Sequence, residues 1–125
     1  GTIEGTQTVT PLGGDFISVV FTATGQSTRL GRLTASAPHI VNVTTGIGVG
    51  SFQMTASNGD TLTMNLTGVG VFVSPTIAQI HENLSITGGT GRFSGATGLI
   101  QVTRTFDFAT AISTGTFEGV LVLAK

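Results

Sequence analysis

Two charged residues stand where a strand pattern calls for apolar ones. In "TIAQIHENLSI" (76–86), alternation puts Ile80, Glu82, Leu84 and Ile86 on one face and Gln79, His81, Asn83 and Ser85 on the other. In "LIQVTRTFDF" (99–108), Ile100, Val102, Arg104, Phe106 and Phe108 share a face. If Ile86 lies across from Ile100, Glu82 falls opposite Arg104, and an ion pair points into an apolar interior. A buried charge must be paired, so the plain reading is a packing element that adds little net stability. The chemical reading is a ligand-orienting pair. Arg104 would grip a carboxylate or enolate oxygen through two donors, and Glu82 would polarise a reacting group or act as a base. These two are the candidate catalytic residues.

Other chemistry is thinner. His39 and His81 are the only histidines. His81 falls on the outer face, and the facing of His39 is open because it follows Pro38. Zinc needs three or four convergent ligands, and the chain has no cysteine, so no metal site and no cofactor is expected. No serine carries a nucleophile-elbow pattern. Glu4 and Glu118 read as surface residues, and Arg29, Arg32 and Arg92 as rim charges. The segment "ITGGTGRFSGATG" (86–98) is glycine-rich, but its spacing is not G-x-G-x-x-G, it lacks G-K-[ST], and a strand pattern follows it. It reads as a chain reversal whose glycines take positive φ and whose Phe93 plugs an end of the core.

The elements that must position these residues are strands. Thr, Val, Ile and Phe abound and Lys, Glu and Gln are scarce, a composition for pleated surfaces. Only 9% of residues are charged, so hydroxyls must coat the solvent face. With 125 residues the chain fits one domain, 1–125, and buries roughly two thirds of its unfolded surface. Five Lys+Arg and a net charge of −1 cannot make a nucleic-acid footprint. No apolar run approaches the ~18 residues of a membrane span.

Strand patterns run over 2–10, 15–24, 29–37, 39–45, 48–57, 60–73, 76–87, 98–109 and 114–124. Merging the third and fourth as one strand bent at Pro38 gives eight. Regular strands with glycine-rich turns predict an all-β fold, a barrel or a sandwich, and an even up-and-down set of eight can close on itself as a single eight-stranded antiparallel β-barrel with no open edge. One hairpin is specified in detail. A three-residue turn at Ser57-Asn58-Gly59 pairs Met54 with Leu62 and Phe52 with Met64, whereas a two-residue turn sets apolar against polar positions. Gly68, Gly70, Ala35 and Ala37 leave room inside, which Phe16, Phe21, Phe52, Phe106 and Phe117 could fill. Phe52, Met54, Met64 and Phe106 are the expected ligand contacts if the interior is hollow. "VVF" (19–21), "VFV" (71–73) and "VLVL" (120–123) are apolar on both faces, which suits a homo-oligomer contact or a covering loop.

"GGTGRFSGATG" (88–98) resembles the G-G-T/S-G-x-F-x-x-A-x-G segment of the allene oxide cyclase and dirigent protein superfamily. "LGRLT" (30–34), "SNGDTLT" (57–63) and "STGTFEG" (113–119) resemble a bacterial group of small secreted proteins of unknown function with the same barrel. The resemblance implies an eight-stranded barrel with a hydrophobic cavity and an extracytoplasmic location after removal of a signal peptide. It carries no catalytic residue across, because the matched positions serve turns and packing. Three functions follow as expectations: a barrel holding a small apolar ligand; a cyclase or isomerase using cavity shape with Glu82 and Arg104; or a structural or adhesion domain with a solid core.

Overall fold

A computed structural model describes residues 1–28 and 30–124. Eight strands follow one another: β1 (Thr2–Gly13), β2 (Phe16–Ser27), β3 (Gly31–Asn42), β4 (Ile47–Ala56), β5 (Thr61–Phe72), β6 (Ile77–Gly89), β7 (Thr97–Asp107) and β8 (Ile112–Val122). Each pairs antiparallel with the next, and β1 pairs with β8, so the sheet closes as a barrel. Among the described residues, the only helical element is a single 3-10 turn, Gly91–Phe93, between β6 and β7. Among the described residues, no helix is long and apolar enough to cross a membrane.

The alternation read from the sequence is carried through the barrel wall. Leu33, Ala35, Ala37 and His39 face inward on β3, and Phe52, Met54 and Ala56 on β4. Outside, hydroxyls replace charge. Thr105, Thr114, Glu4, Thr24, Thr34, Thr55 and Thr61 follow one another directly across seven neighbouring strands. Apolar residues interrupt this coat in two places. Ile40 faces Val49 across β3 and β4, and Leu99 faces Val120 across β7 and β8, all four exposed. Val20, Val71 and Val122, from the stretches apolar on both faces, are likewise exposed.

Residues 29–37 and 39–45 do not form two strands. β3 runs through Pro38, which pairs with Val20 of β2, while the ladder to β4 skips from Ser36 to His39 without changing register. Proline has no N–H to donate, so the ladder to β4 loses bonds there and the strand itself survives. The β4–β5 hairpin has the three-residue turn: Met54 pairs with Leu62, Phe52 with Met64, and Gly59 takes φ +93°.

The glycine segment closes one end of the barrel. Gly91 (φ +58°) starts the 3-10 turn and lies against the Asp60 carboxylate, which accepts a hydrogen bond from the Arg92 backbone N–H at 3.3 Å. Thr90 N–H donates to the Thr61 carbonyl at 2.9 Å, and Thr61 N–H to Thr90 Oγ1 at 3.1 Å. The reversal is thereby tied to the β4–β5 hairpin, and Phe93 turns inward, 3% exposed, onto the core. The element that follows is β7, a strand, so no helix N-terminus stands here to receive phosphate.

Both ends of the barrel can be named from the chain. The hairpins β1–β2, β3–β4, β5–β6 and β7–β8 lie at one end, the hairpin end. The other end holds the β2–β3, β4–β5 and β6–β7 connections together with residue 1 and the close of β8. Ile3, Leu33, Leu62, Ile86, Phe93, Ile100 and Phe117 belong to the continuous core on that second side. Phe16, read as a possible core filler, is 49% exposed where β2 begins at the hairpin end, whereas Phe21, Phe52, Phe106 and Phe117 are buried.

Candidate functional site

The inward rows change character at one level of the barrel. Along β7, Val102 packs in the core, then comes Arg104, then Phe106. Along β6, Leu84 gives way to Glu82 and then Ile80. Along β3, Ala37 gives way to His39 and then Val41. Gln7 on β1 and Ser113 on β8 complete a polar layer. Val19, Ala78 and Phe106 are buried but stand outside the continuous core, toward the hairpin end.

Arg104 organises this layer. Its Nε donates to Glu82 Oε1 at 2.8 Å and its Nη2 to Glu82 Oε2 at 3.1 Å, a bidentate pair with both side chains buried. Nη1 donates to Gln7 Oε1 at 2.7 Å and to Ser113 Oγ at 2.9 Å. Ser113 Oγ in turn donates to the Thr105 carbonyl. The guanidinium carbon lies 4.2 Å from the centre of the Phe21 ring. All but one of the arginine N–H groups are thus engaged. No fully buried side-chain nitrogen or oxygen among the described residues lacks a partner.

The pair forms in a different register from the one expected. Ile86 faces Gly98 and Leu84 faces Ile100, so Glu82 lies opposite Val102 and Arg104 opposite Ile80. The shift is two residues, which keeps every side chain on its face. It arises because β6 extends to Gly89 and the reversal folds back over Phe93 before β7 begins. Arg104 therefore reaches Glu82 diagonally, a span that a long side chain covers.

Beyond the polar layer lies a cavity of about 300 Å³, opening at the hairpin end. Val9, Ile17, Val19, Val41, Leu66, Ala78, Ile80 and Phe106 line its walls, and Gln7, His39 and Glu82 its inner part. One wall is made of absent side chains. Gly46 and Gly48 lie against Gly70 and Gly68 across β4 and β5, and all four line the cavity. A Cβ at Gly70 would meet nothing nearer than Ile80 Cγ1 at 3.8 Å, whereas one at Gly68 would press Glu82 Cγ at 2.9 Å. Phe72, Phe108 and Val43 rim the mouth, with the Phe72 and Phe108 rings stacked at 5.2 Å and Phe106 edge-on to Phe108 at 4.5 Å.

His39 is 8% exposed and lines this cavity. Its Nδ1 lies 2.8 Å from the Ala37 carbonyl. Burial pushes the imidazole below the usual histidine range; the Ala37 bond and the Glu82 carboxylate oppose that effect, and Arg104 adds to it.

Of the residues expected to meet a ligand, Phe106 and Glu82 line the cavity. Phe52, Met54 and Met64 pack in the closed core instead, and Arg104 stands behind Glu82, 1% exposed. Gln7 and Ser113 are the site residues that the sequence reading did not single out, and His39 was weighed there with its facing left open. Their signal was parity, since each occupies the inward position of an otherwise small or apolar row. His81, Glu4, Glu118, Arg32 and Arg92 are exposed, and Arg29 lies outside the described residues. Among the described residues, no group of three or more histidine, cysteine, aspartate or glutamate side chains could hold a metal ion.

Fold and site together define an eight-stranded antiparallel barrel with its continuous core toward one end, a cavity at the hairpin end and a charged layer between. Comparison with models of protein families, with curated proteins and with solved structures found no match.

Proposed function

We propose that this barrel binds a small, largely apolar molecule in the cavity at its hairpin end. The observation that carries the reading is the glycine wall. Gly48, Gly68 and Gly70 on the inward rows of two neighbouring strands, with Gly46 in the turn before them, hold no side chain beside a cavity of about 300 Å³. A Cβ at Gly70 would make only ordinary contacts, whereas at the inward glycines of the other half, Gly5, Gly25 and Gly115, it would run into backbone of the neighbouring strand. A sequence selected only for stability would fill that room, because buried methyl groups stabilise and empty space costs. Pockets of this size and lining, with a few placed polar groups, suit small ligands. The resemblance of residues 88–98 to the allene oxide cyclase and dirigent barrels points the same way, and an extracytoplasmic location belongs to the same proposal.

The enzymatic reading is weaker. Both oxygens of Glu82 are held by Arg104, and Arg104 does not line the cavity, so the pair is better placed to fix the cavity floor than to move protons.

The test uses N-phenyl-1-naphthylamine, an uncharged fluorophore that brightens in apolar surroundings. The chain has no Trp and no Tyr, so its own emission is weak. Saturable brightening with about one probe per chain, lost on filling the cavity, is expected for a single enclosed site. Brightening that never saturates, or none, would remove the reading and leave a structural domain.

A further inference from the structure

We propose that the ligand is an uncharged, largely apolar alcohol, whose hydroxyl is held between His39 and Gln7. This rests on the cavity being a binding site and adds the chemistry of the ligand's polar end.

The charged layer argues against an ionic ligand. Glu82 faces the cavity, and the positive charge that balances it lies behind, with its N–H groups already donated to Glu82, Gln7 and Ser113. A carboxylate entering from the mouth would leave water to meet another carboxylate. An ammonium group would meet a glutamate that Arg104 has already neutralised. Neither ion recovers its hydration.

Besides the lone pairs that Glu82 keeps, His39 and Gln7 offer the cavity one acceptor and one donor. A carbonyl only accepts, so the nitrogen of His39 bonded to Ala37 carries the hydrogen and Nε2 presents a lone pair. The ring's Cδ2 lies toward Gly48, where a Cβ would stand 3.5 Å from it, and both residues line the cavity. Among the described residues, no protein group donates to Nε2. Gln7 is oriented from the other side. Its Oε1 accepts from Arg104 Nη1 at 2.7 Å, which fixes the amide and leaves the NH2 as a donor with no acceptor among the described residues. A hydroxyl donates to one such group and accepts from the other. An ether or ketone satisfies only the glutamine, and a hydrocarbon satisfies neither.

Displacement of N-phenyl-1-naphthylamine by four eight-carbon compounds tests this: octanol, heptyl methyl ether, octanoate and octylamine, near neutral pH. Octanol is expected to displace the probe at concentrations about tenfold lower than the other three, the discrimination that one unmade buried hydrogen bond gives. In His39→Leu, octanol is expected to fall to the level of the ether, with the affinity of the ether itself unchanged. In Gln7→Leu both octanol and the ether lose the glutamine bond, so both are expected to weaken while octanol keeps its advantage over the ether. Equal displacement by alcohol and ether in the unmodified protein, tightest binding by octanoate or octylamine, or an alcohol preference that survives His39→Leu would each overturn the inference while the cavity reading stands. A protein that takes up neither the probe nor any of the four would overturn both. The ligand series on the unmodified protein decides the matter even if a variant fails to fold.

Discussion

Replacing Gly70 by valine separates a cavity kept open for a ligand from a packing flaw. Gly70 lies on β5 with its missing side chain toward the cavity, and it is not among the glycines of positive φ, so the backbone accepts any residue. The new Cβ makes only ordinary contacts, 3.8 Å to Ile80 Cγ1 and 4.0 Å to the Gly46 carbonyl. The Gly70 N–H keeps its 2.8 Å bond to that carbonyl. Removing a glycine from a strand contributes about 0.5–1 kcal/mol through the unfolded chain. Burying the valine side chain adds about 1.5 kcal/mol or more, less its rotamer entropy. A net gain of about 2 kcal/mol raises the Tm of a chain of this length by roughly 6–10 °C, read by circular dichroism melting. Probe uptake should fall at least about tenfold in the same protein, since that loss equals about 1.4 kcal/mol of binding. A lower Tm would show that the room is not there. A higher Tm with unchanged uptake would show that the probe sits elsewhere, and the cavity argument would fail.

Other perturbations read other parts of the structure. Arg104→Met leaves Glu82 buried without its partner and should cost about 3–5 kcal/mol in urea unfolding, while the double variant with Glu82→Leu should recover most of it. Equal losses in single and double variants would mean that packing around Arg104, not charge, is what matters. Because burial lowers the proton affinity of His39 in the folded state, the unfolded chain takes up a proton first as pH falls. Stability from this group is therefore full above about pH 6.5 and is lost below it until the folded imidazole also protonates. His39→Leu should flatten that part of a denaturation-versus-pH series, and an unchanged slope would exclude His39 as its source. Gly98→Ala sets a Cβ against the Val120 carbonyl at a backbone angle of φ +138° and should cost about 2 kcal/mol, measured by thermal melting. A neutral outcome would mean that the start of β7 moves freely against β8.

The barrel was legible because period-two alternation is strict on most strands and the turns carry their own chemistry. The register of the β4–β5 hairpin followed from Phe52, Met54, Leu62 and Met64 alone. Glu82 and Arg104 were visible as charges on apolar rows. Their partnership survived a register error because a shift of two residues preserves facing. Which half of the barrel is hollow was not legible. Phe52, Met54 and Met64 look like cavity wall on an isolated strand, and only the stacking of eight rows shows that they lie on the packed side. Glycine gave the opposite difficulty. Gly91 and Gly98 take positive φ in a reversal, whereas Gly68 admits the Glu82 side chain and Gly70 leaves room, and a sequence writes all of them with the same letter. His39 was obscured by Pro38, whose break in the ladder to β4 looked like a break in the strand.

The seam between β1 and β8 bears on how the molecule comes together. Its hydrogen bonds include Gly1 to the Phe117 carbonyl, across 116 positions of chain, and the ladder covers only Thr2–Thr6 against Ile112–Thr116. Every other pairing joins neighbours in sequence and can form as a growing meander. Of all the pairings, closure therefore meets the greatest loop entropy, that of nearly the whole chain. Until then the meander is a curled ribbon with a bare strand at each margin and its apolar side open to water. Two such ribbons meeting margin to margin have the same bonds to make as one ribbon meeting itself, so dilution decides between a monomer and an exchanged pair.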